Sequence, residues 1–248
     1  ILKPLEPVKP ELVEEFHRQY AGVKKHKVKG RNWMQAYSLW FSESHMRFIN
    51  WSSAGLGKTR TVPAIVSEYN ISLTVFFSPM AISNELNPQL AAELVLEDPL
   101  AVLHYSEKYM DKEAMKPLEM QPGKHHYFIV NPEKLQLGSK TRAIVDYLMS
   151  IKPGLIVFDE GHLLVSTGLV EPETGESTKD PVYRPRMDGL RYLLDKLEVT
   201  QRVVVLTGTP VRVDAREGRA LFELIGVDIG EFTKDMSEMN GLRLRGRL

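Results

Sequence analysis

Ser52-Ser53-Ala54-Gly55-Leu56-Gly57-Lys58-Thr59 is the most informative segment of this sequence. It stands between a short apolar run at 48–51 and a segment at 59–69 whose apolar residues recur at three- and four-residue steps. A glycine-rich turn that joins a strand to a helix and ends in Gly-Lys-Thr is typical of a phosphate-binding loop. Gly-Lys-Thr also occurs by chance in surface turns, but the strand before it and the helix after it favour a nucleotide site.

The residue types in this loop suit a nucleotide triphosphate. Gly55 and Gly57, on either side of Leu56, let backbone N–H groups wrap an anion, and the helix that follows directs its positive end at the same place. Lys58 supplies a charge for the β and γ phosphates, and Thr59 supplies a hydroxyl for magnesium. We therefore expect ATP and Mg²⁺ as the ligands of this loop.

Short apolar runs alternate with amphipathic segments of helix length along the chain. The predicted strands are 48–51, 73–77, 127–130, 155–158 and 203–206. The predicted helices are 59–69, 82–96, 141–150, 189–197 and 217–225. This alternation predicts an α/β fold with a mainly parallel sheet and helices on both faces.

A second segment places two adjacent carboxylates, Asp159 and Glu160, directly after the apolar run 155–158. Ligands of α/β sheets bind at the carboxyl ends of the strands. There Asp159 would position the magnesium hydration shell, and Glu160 would orient and deprotonate the water that attacks a phosphoanhydride. The alternative is that Asp159 only caps the next helix, but a cap does not require four apolar residues before it.

Composition limits the other possibilities. The 248 residues carry 32 basic and 32 acidic side chains and no cysteine, so thiolate metal sites, disulfides and cysteine nucleophiles are excluded. No apolar run approaches the roughly 20 residues of a membrane helix, and 1–10 lacks the layout of a secretory signal. We expect a protein with no membrane partner, whose nucleic-acid contacts, if it makes them, are local.

Two histidines, His125 and His126, precede the predicted strand 127–130. Neighbouring residues of a strand point to opposite faces, so the pair is not expected to form one site. We expect both side chains to face solvent.

Three segments in chain order resemble motifs I, II and III of superfamily-two helicases, closest to the Swi/Snf-type ATPases. They are Gly-Leu-Gly-Lys-Thr at 55–59, Asp-Glu-Gly-His at 159–162 and Leu-Thr-Gly-Thr-Pro at 206–210. The resemblance extends over 29–226 and implies the first RecA-like lobe of an ATP hydrolase of the helicase or translocase type. It also assigns catalytic roles to Lys58, Asp159 and Glu160, and metal binding to Thr59 and Asp159.

Further site residues follow from the resemblance alone. Gln35 corresponds to the glutamine that selects adenine, and His162, Thr207 and Thr209 correspond to residues that couple the ATP site to a partner lobe. The implied nucleic-acid contacts are Ser78, Pro79, Ser83, Asn84 and Asn131.

The sequence departs from the family pattern at several positions. Ser52 replaces the usual first glycine of the loop, and Ser52-Ser53-Ala54 replaces an Asp-Glu-Met common in remodelling ATPases. Asn131-Pro132 replaces a Thr-Tyr, and Val211-Arg212 replaces a Gln-Asn. These departures predict an outlying branch of the Swi/Snf-like group, prokaryotic or viral in origin.

The predicted organisation is an N-terminal extension at 1–28, a RecA-like ATP-binding lobe at 29–230 and a C-terminal segment at 231–248. The stretch 166–185 is rich in polar and turn-forming residues and is predicted to be a loop insertion in the lobe. In this family a second RecA-like lobe of the same polypeptide contributes arginines to the ATP site. We therefore expect the isolated chain to be nearly inactive.

Three functions remain open from the sequence. The first is a motor lobe of a nucleic-acid-dependent ATPase that translocates on duplex DNA; the second is a DNA or RNA helicase that separates strands. The third is a nucleotide-binding or nucleic-acid-binding module without turnover in isolation. A cytoplasmic location is expected for a prokaryotic or viral protein, and a nuclear one for a eukaryotic protein.

Overall fold

The computed structural model describes residues 10–28, 30–53, 55–78, 88–110, 115–136, 140–164, 185–208 and 221–227. Six strands form one sheet: β1 (Arg47–Asn50), β2 (Leu73–Phe77), β3 (Ala101–Tyr105), β4 (His125–Val130), β5 (Leu155–Phe158) and β6 (Arg202–Leu206). The sheet order is β1-β6-β5-β2-β4-β3, and every pair of neighbours is parallel.

Two helices precede β1, and the others lie between the strands. They are α1 (Pro10–His26), α2 (Trp33–Ser44), α3 (Lys58–Glu68), α4 (Pro88–Glu97), α5 (Ser106–Tyr109), α6 (Lys140–Ser150), α7 (Gly161–Leu164) and α8 (Pro185–Asp195). A 3₁₀ turn spans Pro132–Gln136, and residues 221–224 are also helical. None of the helices in these described ranges is both long enough and apolar enough to span a bilayer.

Alternate residues of the strands are buried in two separate cores, one on each face of the sheet. Val75 and Phe77 of β2 belong to a core that also contains buried residues of α6 and α8, whereas Phe76 belongs to a core with residues of α2, α3 and α4. Both faces are therefore covered, which is why β2, β4 and β5 are fully buried and apolar throughout or nearly so. The predicted fold class, a parallel α/β sheet with helices on both faces, is confirmed.

Most predicted elements are present within a few residues of their expected ends, but β3 was missed. This strand lies at the edge of the sheet, where it pairs only with β4, and most of its residues are half-buried. An edge strand needs no continuous apolar run, so the periodicity of 101–105 did not mark it. Of the predicted helix 217–225, only 221–224 is seen as a helix among the described residues.

Helix α1 lies within the segment predicted as an N-terminal extension and packs against α2. Val23 is buried, and the His26 ring is buried with its Nε2 2.9 Å from Oε1 of Glu43 on α2. Gly22 meets Trp40 so closely that a Cβ atom there would lie 2.2 Å from the indole nitrogen. Helix α1 is thus held to α2 by apolar packing and a polar contact.

The prediction that His125 and His126 face solvent is wrong. Both are buried, His126 to 1% exposure. The Gln121 backbone N–H donates to His126 Nε2 at 2.9 Å, so the proton of the neutral ring is on Nδ1 and is donated to His104 Nε2 at 2.7 Å. His104 in turn donates from Nδ1 to the Tyr109 hydroxyl at 2.9 Å. His104 thus accepts at Nε2 and donates from Nδ1, an arrangement that only its neutral ring can make.

This chain of bonds makes the protein less stable in acid. Burial, with the neighbouring His126 as a smaller cause, lowers the pKa of His104 below its ordinary value. The folded state therefore holds fewer protons than the unfolded chain just below pH 6.5, and the free energy of unfolding falls as the pH drops below that value. We expect His104→Gln to flatten this dependence in urea unfolding between pH 5 and 7.

The control is His45→Gln, because His45 is exposed. It should leave the slope of unfolding free energy against pH as in the wild type. Equal slopes for the wild type and His104→Gln would contradict the prediction.

Candidate functional site

The candidate site lies at the edge of the sheet where the parallel strands end. Asn50 ends β1, and Thr207, Asp159 and Ser78 directly follow β6, β5 and β2. Backbone hydrogen bonds continue the sheet into this edge: the N–H of Thr207 donates to Asn50 O at 3.1 Å, and the N–H of Asp159 donates to Phe77 O at 2.8 Å. The polar residues of the predicted motifs are thereby brought side by side.

The two glycines of the predicted phosphate loop have left-handed backbone conformations. Gly55 has a φ of 81°, and Gly57, the residue before α3, has φ 71° and ψ 42°. These are left-handed conformations, which glycine adopts without the cost that a Cβ atom imposes. Gly57 cannot cap α3 with a side chain, so the first N–H groups of the helix face the loop as donors for an anion.

Lys58 folds back onto its own loop. Its Nζ donates to the carbonyl oxygens of Ser52 at 2.9 Å and Ser53 at 3.2 Å. A lysine in this position carries its charge at the centre of the loop, where the terminal phosphates of a nucleotide would lie. The carbonyls therefore hold the amino group at the place where it is needed.

Helix α2 is tied to the phosphate loop through its first turn. Asn32 and Gln35 form a capping box, in which each side chain accepts from the backbone N–H of the other residue at 2.9 Å. The same two side chains also reach the loop: Asn32 Nδ2 donates to Leu56 O at 2.8 Å and Gln35 Nε2 donates to Gly57 O at 3.2 Å. Each amide keeps further hydrogen-bonding capacity, so selection of adenine by Gln35 stays a prediction.

Asp159 is a carboxyl group held in an unfavourable environment. Burial, followed by the nearby charge of Glu160, raises the pKa of Asp159 to about 6. Three groups oppose this rise: the Ser78 hydroxyl, which donates to Oδ2 at 3.3 Å, the Glu160 N–H, which donates to Oδ1 at 3.1 Å, and the charge of Lys58. The loop that carries Lys58 follows β1, so it lies at the same edge of the sheet as the end of β5.

Glu160, His162 and Thr207 form a connected group beside Asp159. His162 Nδ1 lies 2.9 Å from Thr207 Oγ1 and 3.2 Å from Glu160 Oε2. Glu160 has a φ of 47°, a left-handed backbone conformation that costs energy in a residue with a side chain. The structure thus brings together two of the three predicted coupling residues, whereas Thr209 lies outside the described residues.

Gly161 allows the turn after Glu160 to approach β6. A Cβ atom at this position would lie 2.4 Å from Cγ1 of Val205, closer than real Cβ contacts come. The glycine of the Asp-Glu-Gly-His segment therefore has a packing role, which no periodicity in the sequence signals.

The predicted nucleic-acid residues are only partly described. Pro79, Ser83 and Asn84 lie outside the described residues. Ser78 is buried, with its hydroxyl on Asp159, and Asn131 is half-buried after β4 with its Oδ1 accepting from the Glu133 N–H at 3.0 Å. Contact of Ser78 and Asn131 with nucleic acid stays a prediction.

The side chains present fit a magnesium ion. Asp159 offers a carboxylate and Thr59 a hydroxyl, and hard oxygen ligands of this kind, one or two per site, are what Mg²⁺ takes from proteins when phosphates and waters supply the rest. The raised pKa of Asp159 marks a carboxylate whose charge is poorly compensated by the protein alone. When bound, Mg²⁺ would neutralise charge on the phosphates.

Asp159 therefore weakens the fold when no ligand is bound. A carboxyl whose pKa is higher in the folded state than its ordinary 3.8 gives stability that is present below about pH 4 and lost as the pH rises through about 6. Asp159→Asn has no carboxyl to ionise, so the variant does not lose this stability as the pH rises. In urea unfolding without Mg²⁺ or nucleotide, we expect the variant to match the wild type at pH 4 and to exceed it by about 2 kcal/mol at pH 8.

Asp195→Asn, at an exposed position on α8, is the matched control. It should leave the free energy of unfolding unchanged at both pH 4 and pH 8. A variant at Asp159 that is less stable than the wild type at pH 8 would contradict the prediction.

No protein-family model matches the chain. A curated relative, the bifunctional helicase and thymine dioxygenase JBP2 of Trypanosoma cruzi, is 32% identical over 105 residues, which is 42% of this chain and 7% of that protein. The chain therefore spans a small part of the length of this relative.

Solved structures of similar fold cover most of the chain at low identity. The Sulfolobus solfataricus SWI2/SNF2 ATPase core in complex with dsDNA has a TM-score of 0.45 and 14% identity, covering 90% of this chain and 37% of its own. The UvsW helicase of bacteriophage T4 has a TM-score of 0.49 and 12% identity, covering 90% and 67%. Dbp5 of S. cerevisiae bound to RNA and ADP BeF3 has a TM-score of 0.47 and 13% identity, covering 93% and 51%.

The parallel sheet carries a phosphate loop after β1, paired carboxylates after β5 and a buried threonine after β6. With this sheet and this order of motifs, the chain has a RecA-like α/β fold.

Proposed function

We propose that this chain binds ATP with Mg²⁺ and serves as the first motor lobe of a nucleic-acid-dependent ATPase. One observation carries the proposal: Lys58, in the loop after β1, and Asp159, after β5, lie at the same edge of the sheet, with only β6 between their strands. A phosphate-binding lysine facing a metal-binding carboxylate is the arrangement that hydrolysis of a nucleoside triphosphate needs.

When the phosphates bind, phosphate oxygens would replace the loop carbonyl oxygens as the acceptors of Lys58. Lys58 now donates to two loop carbonyls, and phosphate oxygens with full charges would replace them as stronger acceptors. The N–H groups at the start of α3 would donate to the same phosphates. Asn32 and Gln35 hold the loop from the α2 side while this exchange occurs.

Glu160 would act as the base that accepts a proton from the attacking water. Its carboxylate is partly exposed and now contacts His162, which also contacts Thr207. A change at Thr207 would therefore move the hydrogen-bond partner of Glu160. This connection supports the proposal that the end of β6 couples the water-activating carboxylate to another part of the motor.

Translocation on duplex DNA is the finer part of the proposal, supported by the Swi/Snf-like motifs of the sequence. The implied contact residues Ser78 and Asn131 follow β2 and β4, neighbouring strands whose ends lie at the same edge. The curated relative is named a helicase. Strand separation is for this reason the second candidate function.

Efficient turnover would need a group that these residues do not include. Charge that develops on the phosphoryl group is stabilised in such ATPases by an arginine finger, worth about a thousandfold or more in rate. In the family that the motifs resemble, a second RecA-like lobe supplies it. We propose the same source here.

Lys58→Ala should weaken binding of a non-hydrolysable ATP analogue by about 10- to 100-fold, because a charge-assisted contact to the β and γ phosphates is lost. Calorimetric titration with the analogue in the presence of Mg²⁺ measures this affinity. Arg60→Ala, two residues further along α3 with a side chain that pairs with Glu97, should bind as the wild type does. Equal affinities for the wild type and Lys58→Ala would refute the nucleotide site.

The 248-residue chain should bind the nucleotide but hydrolyse ATP at least about a thousandfold more slowly than a polypeptide that includes the second lobe. In that longer polypeptide, Glu160→Gln should abolish turnover and leave ATP bound, because an amide does not accept the proton of the water. Phosphate release measured with and without DNA tests both statements. Fast, DNA-stimulated hydrolysis by the 248 residues alone would be incompatible with the proposal.

The full-length protein should displace the third strand of a DNA triplex without separating the duplex beneath it. Its affinity for duplex DNA should fall as the salt concentration rises and should depend little on base sequence, since the contacts are to phosphates. Gel assays on triplex and forked substrates distinguish the two motors. Efficient unwinding of the fork would favour the helicase function instead.

A further inference from the structure

The side chain of Asn50 is buried between α2 and the phosphate loop. It is 6% exposed at the end of β1. Its Oδ1 accepts two hydrogen bonds from Ser52, from the backbone N–H at 3.1 Å and from the hydroxyl at 2.7 Å. Its Nδ2 donates to the Ser38 hydroxyl on α2 at 3.1 Å. The side-chain amide of Asn50 thus holds Ser52, the first residue of the loop.

The backbone of Asn50 is bonded to the other side of the site, at the end of β6. Its carbonyl accepts the N–H of Thr207 at 3.1 Å. Thr207 leads through His162 to Glu160. Asn50 is therefore bonded both to the loop that carries Lys58 and to the residues that hold the second carboxylate.

The two bonds to Ser52 determine where Lys58 rests. Ser52 stands at the loop position where the usual pattern has a glycine, and its carbonyl accepts from Lys58 Nζ at 2.9 Å. The N–H and the hydroxyl of Ser52 are both bonded to Asn50, so Ser52 is held beside the end of β1 by its backbone and its side chain. The next peptide unit, which carries the carbonyl that accepts from Lys58, therefore extends from a residue that Asn50 holds in place.

We propose that Asn50 is a positioning residue for nucleotide binding, which acts through Ser52 to hold the phosphate loop in its binding shape. In this chain the Asn50–Ser52 pair takes over the shaping of the loop start that a glycine provides elsewhere. The inference depends on the proposed function, because it assumes that the loop binds a nucleotide. It assigns Asn50 no contact with the nucleotide itself.

A double-mutant cycle tests the pair, with the affinity for a non-hydrolysable ATP analogue and Mg²⁺ as the measurement. Asn50→Ala should weaken binding about tenfold, and Ser52→Ala should weaken it about threefold, since its N–H still bonds to Asn50. The double variant should bind no more weakly than Asn50→Ala, because the Ser52 hydroxyl has already lost its partner. Losses that multiply, or an Asn50→Ala affinity equal to that of the wild type, would overturn the proposal.

A purely structural role of Asn50 would lower the stability without changing the affinity of the folded protein. Thermal unfolding of each variant therefore sets a titration temperature at which all are folded. If Asn50→Ala does not fold, Ser52→Ala still decides, because Ser52 lies in a partly exposed loop. Unchanged affinity of Ser52→Ala would then refute the role.

Two controls separate this inference from the proposed function. Ser67→Ala removes an exposed hydroxyl near the end of α3, away from the loop, and should bind as the wild type does. Lys58→Ala reports on the nucleotide site itself. If Lys58→Ala loses affinity and Asn50→Ala and Ser52→Ala do not, the positioning role fails alone; if the wild type does not bind the analogue, both proposals fail.

Discussion

Parallel pairing of all six strands is the constraint on which the candidate site depends. In a parallel sheet every strand ends at the same edge, so residues that are far apart in the chain become neighbours there. Asn50 and Thr207 are separated by more than half of the chain, yet they share a backbone hydrogen bond because β1 and β6 are adjacent. No local element of this sequence could bring the two together.

The same edge accumulates charge that the fold alone does not stabilise. Asp159 and Glu160 are adjacent, and burial raises the pKa of Asp159 to about 6. Glu160 also holds a left-handed backbone conformation. Strain and poorly compensated charge at one place are typical of sites whose ligands complete them, and a magnesium nucleotide would supply the missing positive charge.

Around this charge the protein places neutral hydrogen-bonding groups in fixed positions. Asn32 and Gln35 hold the loop from one side, Asn50 holds its first residue from below, and Ser78 donates to Asp159. Buried amides and hydroxyls can orient a charged group without adding a competing charge. The loop that carries Lys58, and Asp159 beside it, are thus held by neutral groups from several elements.

The sequence predicted much of this arrangement because its signals are local. Apolar runs marked 73–77 and 155–158 with their observed ends, and the glycines and lysine of the loop indicated a phosphate site before a helix. These features depend only on neighbours along the chain, such as the left-handed turn at Gly57. Where burial is continuous and the motif is contiguous, the order of residues is sufficient.

Only the tertiary structure decided the partners of the polar residues. His126 is buried beside β3, an edge strand without an apolar run that supplies His104, and His125 is bonded to Asp98, which precedes β3. Ser78 became a partner of Asp159, and Asn50 a partner of Ser52, Ser38 and Thr207. A polar side chain carries no periodic signal of its own; its role is set by which strand lies beside it, and strand order is a property of the whole sheet.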